Sequence, residues 1–251
     1  WPFLRNFAET QVTGFTNFFV AYQDTEILFE DDADVQRMSA HLAAFWHRDH
    51  NTQTMTPVRP VGPELRAGDG MMRHFLSVPD ADGRALEDLY VALFDAAQRR
   101  IDMTSPFLNL PPRLEAALER ALARGVAVRL ITRTEVPEPV GVFAAPLNRL
   151  FVQAYAGQLE IHAHSQPPQT LHSKLVVIDG RLALVGSVNL NQRSFHHDTE
   201  NGVLLLDRAR AAGVLRLIDA MERDSTLQEP AQQVSPLMRV LMRPAFVRGL
   251  F

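Results

Sequence analysis

The chain has no cysteine, so neither a disulfide nor a thiolate-bound metal is open to it. It has almost no lysine: of its 25 basic side chains, all but Lys174 are arginine. No apolar run approaches the roughly 20 residues that a spanning helix needs, which limits any membrane contact to the periphery. Nor is there a basic surplus. A net charge of -4 and a pI near 6.1 argue against a general nucleic-acid binder, while leaving room for a local basic cleft. The sequence opens on Trp1 with no signal-peptide pattern, which fits a processed or partial chain. What remains is the composition of an ordinary globular protein, 46% hydrophobic and 22% charged over 251 residues, long enough for one large domain or two small ones.

The middle of the chain alternates helix and strand patterns. Leu86, Leu89, Leu93 and Phe94 recur at helical spacing within Arg84–Arg100, followed by a short strand at Ile101–Met103. Pro111 and Pro112 suit a helix start, Leu114–Ala123 continues it, and Gly125 suits its end. Val126–Thr132 reads as a buried strand, Pro137, Pro139 and Pro146 as a loop, and Leu147–Ala156 as a helix. Further strands are predicted at Leu159–His162, Leu171–Ile178, Leu182–Val185 and Val203–Leu206, with a turn at Asp179-Gly180 and a closing helix at Ala209–Glu222. Alternation of this kind predicts a layered α/β domain.

The first sixty residues carry an approximate echo of the later ones. Gly14 and Asn17 precede Gly186 and Asn189 by 172 positions, and Asp24-Thr25-Glu26 precedes Asp198-Thr199-Glu200 by 174. In both places an apolar run, an acidic residue and a helix follow, the first helix expected over Val35–His47. This predicts the end of an earlier repeat of the same unit, with the Pro/Gly-rich Thr56–Gly70 as a linker.

Chemistry concentrates in the stretch from Leu171 to Ser194. Strand alternation would put His172 and Lys174 on one face. Transfer at a phosphodiester needs a proton carrier or nucleophile near neutral pKa, which imidazole supplies. It also needs a cation for the phosphoryl oxygens, and Lys174 offers a compact ammonium where every other basic residue is a planar fork. Ser187 and Asn189 can add neutral donors, and Asp179 suits orientation better than attack.

These residues resemble the signature of the phospholipase D superfamily: His172-Ser173-Lys174, four residues, Asp179, then Gly186-Ser187-Val188-Asn189. The wording nearby, including Asn191-Gln192-Arg193-Ser194 and Glu200, is most similar to bacterial cardiolipin-synthase-type members. The resemblance implies a mixed sheet flanked by helices and a cofactor-free, metal-independent phosphatidyl transfer or hydrolysis on glycerophospholipids through a phosphohistidine. It implies His172 as general acid/base, Lys174, Ser187 and Asn189 on the phosphate oxygens, and Asp179 and Glu200 orienting histidines, with Gly186 in support. Members of this class carry two such motifs and this chain shows one, so a missing N-terminal half, or a homodimer, is expected to complete the site. The implied organisation is 1–55 as the end of a first repeat, 56–71 as linker, 72–225 as the second repeat and 226–251 as a tail. A superfamily nuclease and a non-catalytic phosphate-binding half are the competing readings.

Elsewhere the signals are weaker. His162 and His164 form an H-x-H that suits a metal, but no third ligand stands at a recognisable spacing, and none is expected. His196-His197 read as a pocket rim or a solvated turn, and Glu30–Asp32 as a solvated turn. The tail Pro236–Phe251 combines Leu, Met, Val and Phe with arginines, as interfacial segments do. Phospholipid is therefore the expected partner and nucleic acid is not, at a location in the cytoplasm or peripheral at the inner membrane.

Overall fold

The computed structural model describes residues 3–12, 19–28, 35–36, 38–40, 72–135, 141–164 and 169–229. In chain order these form β1 (Phe3–Val12), β2 (Phe19–Leu28), β3 (Met72–Ser77), α1 (Pro79–Asp82), α2 (Ala85–Ala96), β4 (Arg100–Thr104), β5 (Leu108–Asn109) and α3 (Pro112–Ala123). There follow β6 (Ala127–Thr132), α4 (Gly141–Tyr155), β7 (Glu160–His164), β8 (Gln169–Leu171), β9 (Leu175–Ile178), β10 (Leu182–Gly186) and β11 (Leu190–Asn191). Last come α5 (Gln192–His196), β12 (Glu200–Leu205), α6 (Arg208–Arg223) and β13 (Ser225–Leu227). The expected linker and residues 230–251 of the expected tail lie outside the described residues, as does most of the helix expected after residue 35; the tail's first residues are instead part of β13, paired with β7.

The α/β expectation holds. An eight-stranded mixed sheet runs β13-β7-β6-β4-β9-β10-β12-β3. β4, β6 and β7 are parallel, whereas β9, β10, β12 and β3 are antiparallel neighbours. Period-two alternation divides its apolar side chains between two cores. Ile101, Met103, Leu130, Val176 and Leu184 face α2, α3 and α4. Leu175, Val177, Ala183 and Val185 face α6 through Ala211, Val214, Ile218 and Met221. Both faces are thus covered, as the near-continuous apolar strands require. A smaller sheet, β1-β2-β8, stands beside it.

Three elements differ from expectation. α4 begins at Gly141 and holds Pro146 inside it; the missing N–H falls in the helix's early turns, and Ala144, Ala145 and Leu147 on that stretch are buried. β12 starts at Glu200 because it pairs with β3, from Glu200↔Ser77 to Leu205↔Met72. The strand expected over Leu171–Ile178 is broken: β8 belongs to the small sheet and β9 to the large one, and 172–174 crosses between them.

Candidate active site

The crossing segment lies at the carboxyl ends of the parallel strands, the usual place for a ligand in an α/β sheet. Thr104 closes β4 and pairs with Leu175; its hydroxyl donates to the Ser173 carbonyl at 2.9 Å and accepts the Leu175 N–H at 3.1 Å. β8 runs parallel to β2 in the register Gln23↔Leu171, so the next residues, Asp24 and His172, fall side by side. His172 Nδ1 stands 2.9 Å from both carboxylate oxygens of Asp24. Thr25 and Ser173 repeat the contact through their hydroxyls at 3.0 Å.

Burial alone would raise the Asp24 carboxyl, but the bond and charge of His172, with the Lys174 charge, outweigh it and hold the group below its ordinary range. An ionised carboxylate only accepts, so Nδ1 carries the hydrogen and Nε2 is left as the basic nitrogen of the neutral ring. Lys174 curls back so that Nζ donates to the His172 carbonyl. Burial lowers its pKa to about 7, with Arg133 pushing the same way and Asp24 and Glu200 opposing. Arg133, at the end of β6, is itself buried with its guanidinium 4.6 Å from the Phe107 ring centre.

His172, Lys174, Gly186 and Ser187 line one open cleft of about 480 Å³ together with Asp24 and His74. Gly186 sits opposite Gly202 in the β10–β12 ladder. A Cβ at Gly186 would lie 2.4 Å from the Asn201 carbonyl oxygen, so only glycine brings Ser187 this close to β12. The Ser187 amide then donates to that carbonyl at 2.9 Å, and its hydroxyl donates to Glu200. Burial raises the Glu200 carboxyl, against the lowering bonds from Ser187 and Ser194.

Two sequence-predicted residues lie apart from this group. Asn189 lines a separate hollow of about 200 Å³ with Phe107, Asn148 and Arg193, and its Oδ1 is buried without a hydrogen-bond partner among the described residues. Asp179 is at the far end of β9, five residues and about 16 Å along the strand from Lys174. Its carboxylate accepts N–H bonds from Gln98 at 3.0 Å, Arg99 at 2.8 Å and Arg100 at 2.9 Å, which hold it below the ordinary carboxylate range despite partial burial. It clamps the β9–β10 turn, at φ 53, to the start of β4, and does not orient His172. The carboxylate bonded to His172 is Asp24, while Glu200 accepts from Ser187. Asp24, His74 and Arg133 were not singled out as site residues in the sequence. The echo of Asp24-Thr25-Glu26 in Asp198-Thr199-Glu200 was the available signal for the first; the other two carry none.

Residues 90–222 match the family described as cardiolipin synthase, PLD-like domain. The chain is similar to the cardiolipin synthase of Geobacillus thermodenitrificans, 26% identical over 193 residues, 76% of this chain and 38% of that protein. It is 31% identical over 171 residues to cardiolipin synthase A of Pseudomonas syringae, covering 66% of this chain and 35% of the relative. The chain therefore spans little more than a third of the length of these curated relatives. Among solved structures, phosphatidylserine synthase of Haemophilus influenzae superimposes with a TM-score of 0.60 at 20% identity, over 72% of this chain and 48% of that one. The phospholipase D family member Nuc of Salmonella typhimurium does so at 0.51 and 19% identity, over 63% of this chain and 97% of its own. Both share the fold.

Proposed function

We propose that this chain, which belongs to the cardiolipin synthase family of phospholipase D-like domains, supplies one of the two histidine half-sites for phosphatidyl transfer or hydrolysis on glycerophospholipids. The observation that carries this is the Asp24–His172 pair at 2.9 Å, set beside Lys174 in an open cleft.

The chemistry follows from the atoms. A nitrogen of a second histidine bonds to phosphorus while the P–O bond to the leaving alcohol breaks. Protonated His172, oriented through Nδ1 by Asp24, gives its Nε2 proton to that oxygen. In the second half-reaction neutral His172 takes the proton from water or an acceptor alcohol. The incoming oxygen bonds to phosphorus, and the P–N bond breaks with its electron pair returning to the second histidine. Lys174 neutralises phosphoryl oxygens. The Ser187 hydroxyl, which donates to Glu200, stands in the same cleft as a neutral group for those oxygens. Asp179 serves this site only through the strand end it fixes.

One H-x-K string cannot fill both sides of phosphorus, so the second histidine is assigned to a first-repeat half of the kind echoed in the opening residues. The test uses phosphatidylglycerol vesicles with the chain alone, and with a relative's N-terminal half added. Turnover should require both components and vanish in His172→Ala. Turnover by the chain alone, lost in His74→Ala, would overturn the half-site reading and put the second proton carrier inside this cleft. Cleavage of oligonucleotides but not lipid would overturn the substrate assignment.

A further inference from the structure

A second cluster lies toward the β13 edge of the sheet. Asp102 on β4, Arg129 on β6 and Glu160, His162 and His164 on β7 all point to the face covered by α6. Arg129 is buried and donates to Asp102 at 2.7 Å, to Asp219 at 2.8 Å and to Glu222. Arg100 joins Asp102 at 2.8 Å and Glu160 at 3.2 Å. Glu160 gives Oε2 to Arg100 and turns Oε1 to His162 Nε2 at 3.1 Å. Glu222 gives Oε2 to Arg129 and turns Oε1 to the same nitrogen at 3.7 Å. Each carboxylate is thus anchored through one oxygen by a guanidinium and presents the other at a single imidazole nitrogen.

We propose that Glu160, His162 and Glu222 form a binding site for a divalent transition-metal cation of the zinc type. One N–H can satisfy one of the two carboxylates; a cation satisfies both. Ligands held at about 2.0–2.1 Å around a tetrahedral metal lie about 3.3–3.5 Å from one another. The distances of 3.1 and 3.7 Å bracket that value, and the three ligand atoms all lie within 4.8 Å of one another. The arginine bonds do what outer hydrogen bonds do in metal centres, fixing the carboxylates in place before the ion arrives. Two residues along the same strand face, His164 is only 6% exposed and its Nδ1 has no hydrogen-bond partner among the described residues. Glu160 and Glu222 are partly exposed, so water can complete the shell. The centre would tie α6 to β7, three strands and about 14 Å across the sheet from β9, clear of the phosphoryl chemistry.

Zinc chloride alone is the probe, titrated calorimetrically into the full chain, with cobalt(II) as the spectroscopic substitute. The wild type should take up one equivalent at micromolar concentration, and at a hundredfold excess over Kd its thermal midpoint should rise by about 5–10 °C. His162→Ala should weaken binding at least tenfold, and so should Glu160→Gln, whose exposed side chain can change without disturbing the core. Cobalt absorption of tetrahedral type should disappear in both. Stoichiometric zinc uptake unchanged in the two variants, or none in the wild type, would overturn the site.

Discussion

Replacing Lys174 with arginine keeps the charge and changes its shape, and in a reconstituted two-half enzyme it should reduce turnover on the order of a hundredfold, because a planar fork cannot occupy the place of a compact ammonium. Lysine at this position also titrates where its charge matters. Its folded pKa of about 7 lies below the ordinary 10.5, so between those values the unfolded chain holds a proton that the folded one has released. Stability therefore rises with pH across that window, and Lys174→Met should abolish the rise while stabilising the protein at pH 7. A bound phosphate favours the ammonium, so inorganic phosphate should bind with proton uptake near pH 8, measurable as a buffer-dependent heat. Heats independent of the buffer would remove Lys174 from contact with the anion. Asp24→Asn tests the neighbour: the shape stays and the charge goes, so kcat should fall by roughly 10²–10³ with little change in KM.

At the scale of elements, Asp179 and Gly186 separate two jobs that the motif's spacing runs together. Asp179→Ala removes the acceptor for three backbone N–H groups and should cost about 2–4 kcal/mol of stability, measured by urea unfolding, with kcat per folded molecule unchanged. A loss of kcat without loss of stability would return Asp179 to the chemistry. Gly186→Ala forces a Cβ onto the β12 backbone and should impair both. The inner strands of the large sheet were legible because each carries a period or a β-branched run, whereas β3 and β13 at its two edges carry neither and were not foreseen; the α3 ends were legible because Pro112 and Gly125 mark them. The break between β8 and β9 was not, since nothing within 171–178 shows that its two halves pair with different sheets. The motif gave His172 and Lys174, yet the partner of His172 lies 148 residues away, a separation that no local pattern encodes. Glu222 is hidden from the H-x-H motif for the same reason.

Across the whole molecule, the sheet carries phosphate chemistry around β9 and β10 and a charge lattice toward its β13 edge. Arg129 is the centre of that lattice, bonded to carboxylates on β4 and α6. Arg129→Met leaves those carboxylates uncompensated and should destabilise the fold by about 3–5 kcal/mol at pH 7. Part of that loss should return as the pH falls through the carboxylate range, and a thermal-melt series from pH 7 to 4 would show it. Among the described residues, no helix is long and apolar enough to cross a membrane.

Among the described residues, β3 stands at the margin of the large sheet with β12 as its single neighbour there. A ribosome finishes β3 at Ser77 and does not begin β12 until Glu200. At ~5–20 residues per second, that leaves β3 without its mate for about 6–25 s in every round of translation. During that interval its N–H and C=O groups are open to any other extended segment nearby, including the same strand on the next nascent chain of a polysome. A message truncated before the codon for Glu200 should therefore yield chains that collect in inclusion bodies, and the yield of soluble protein should depend on how quickly the codons for residues 78–205 are read.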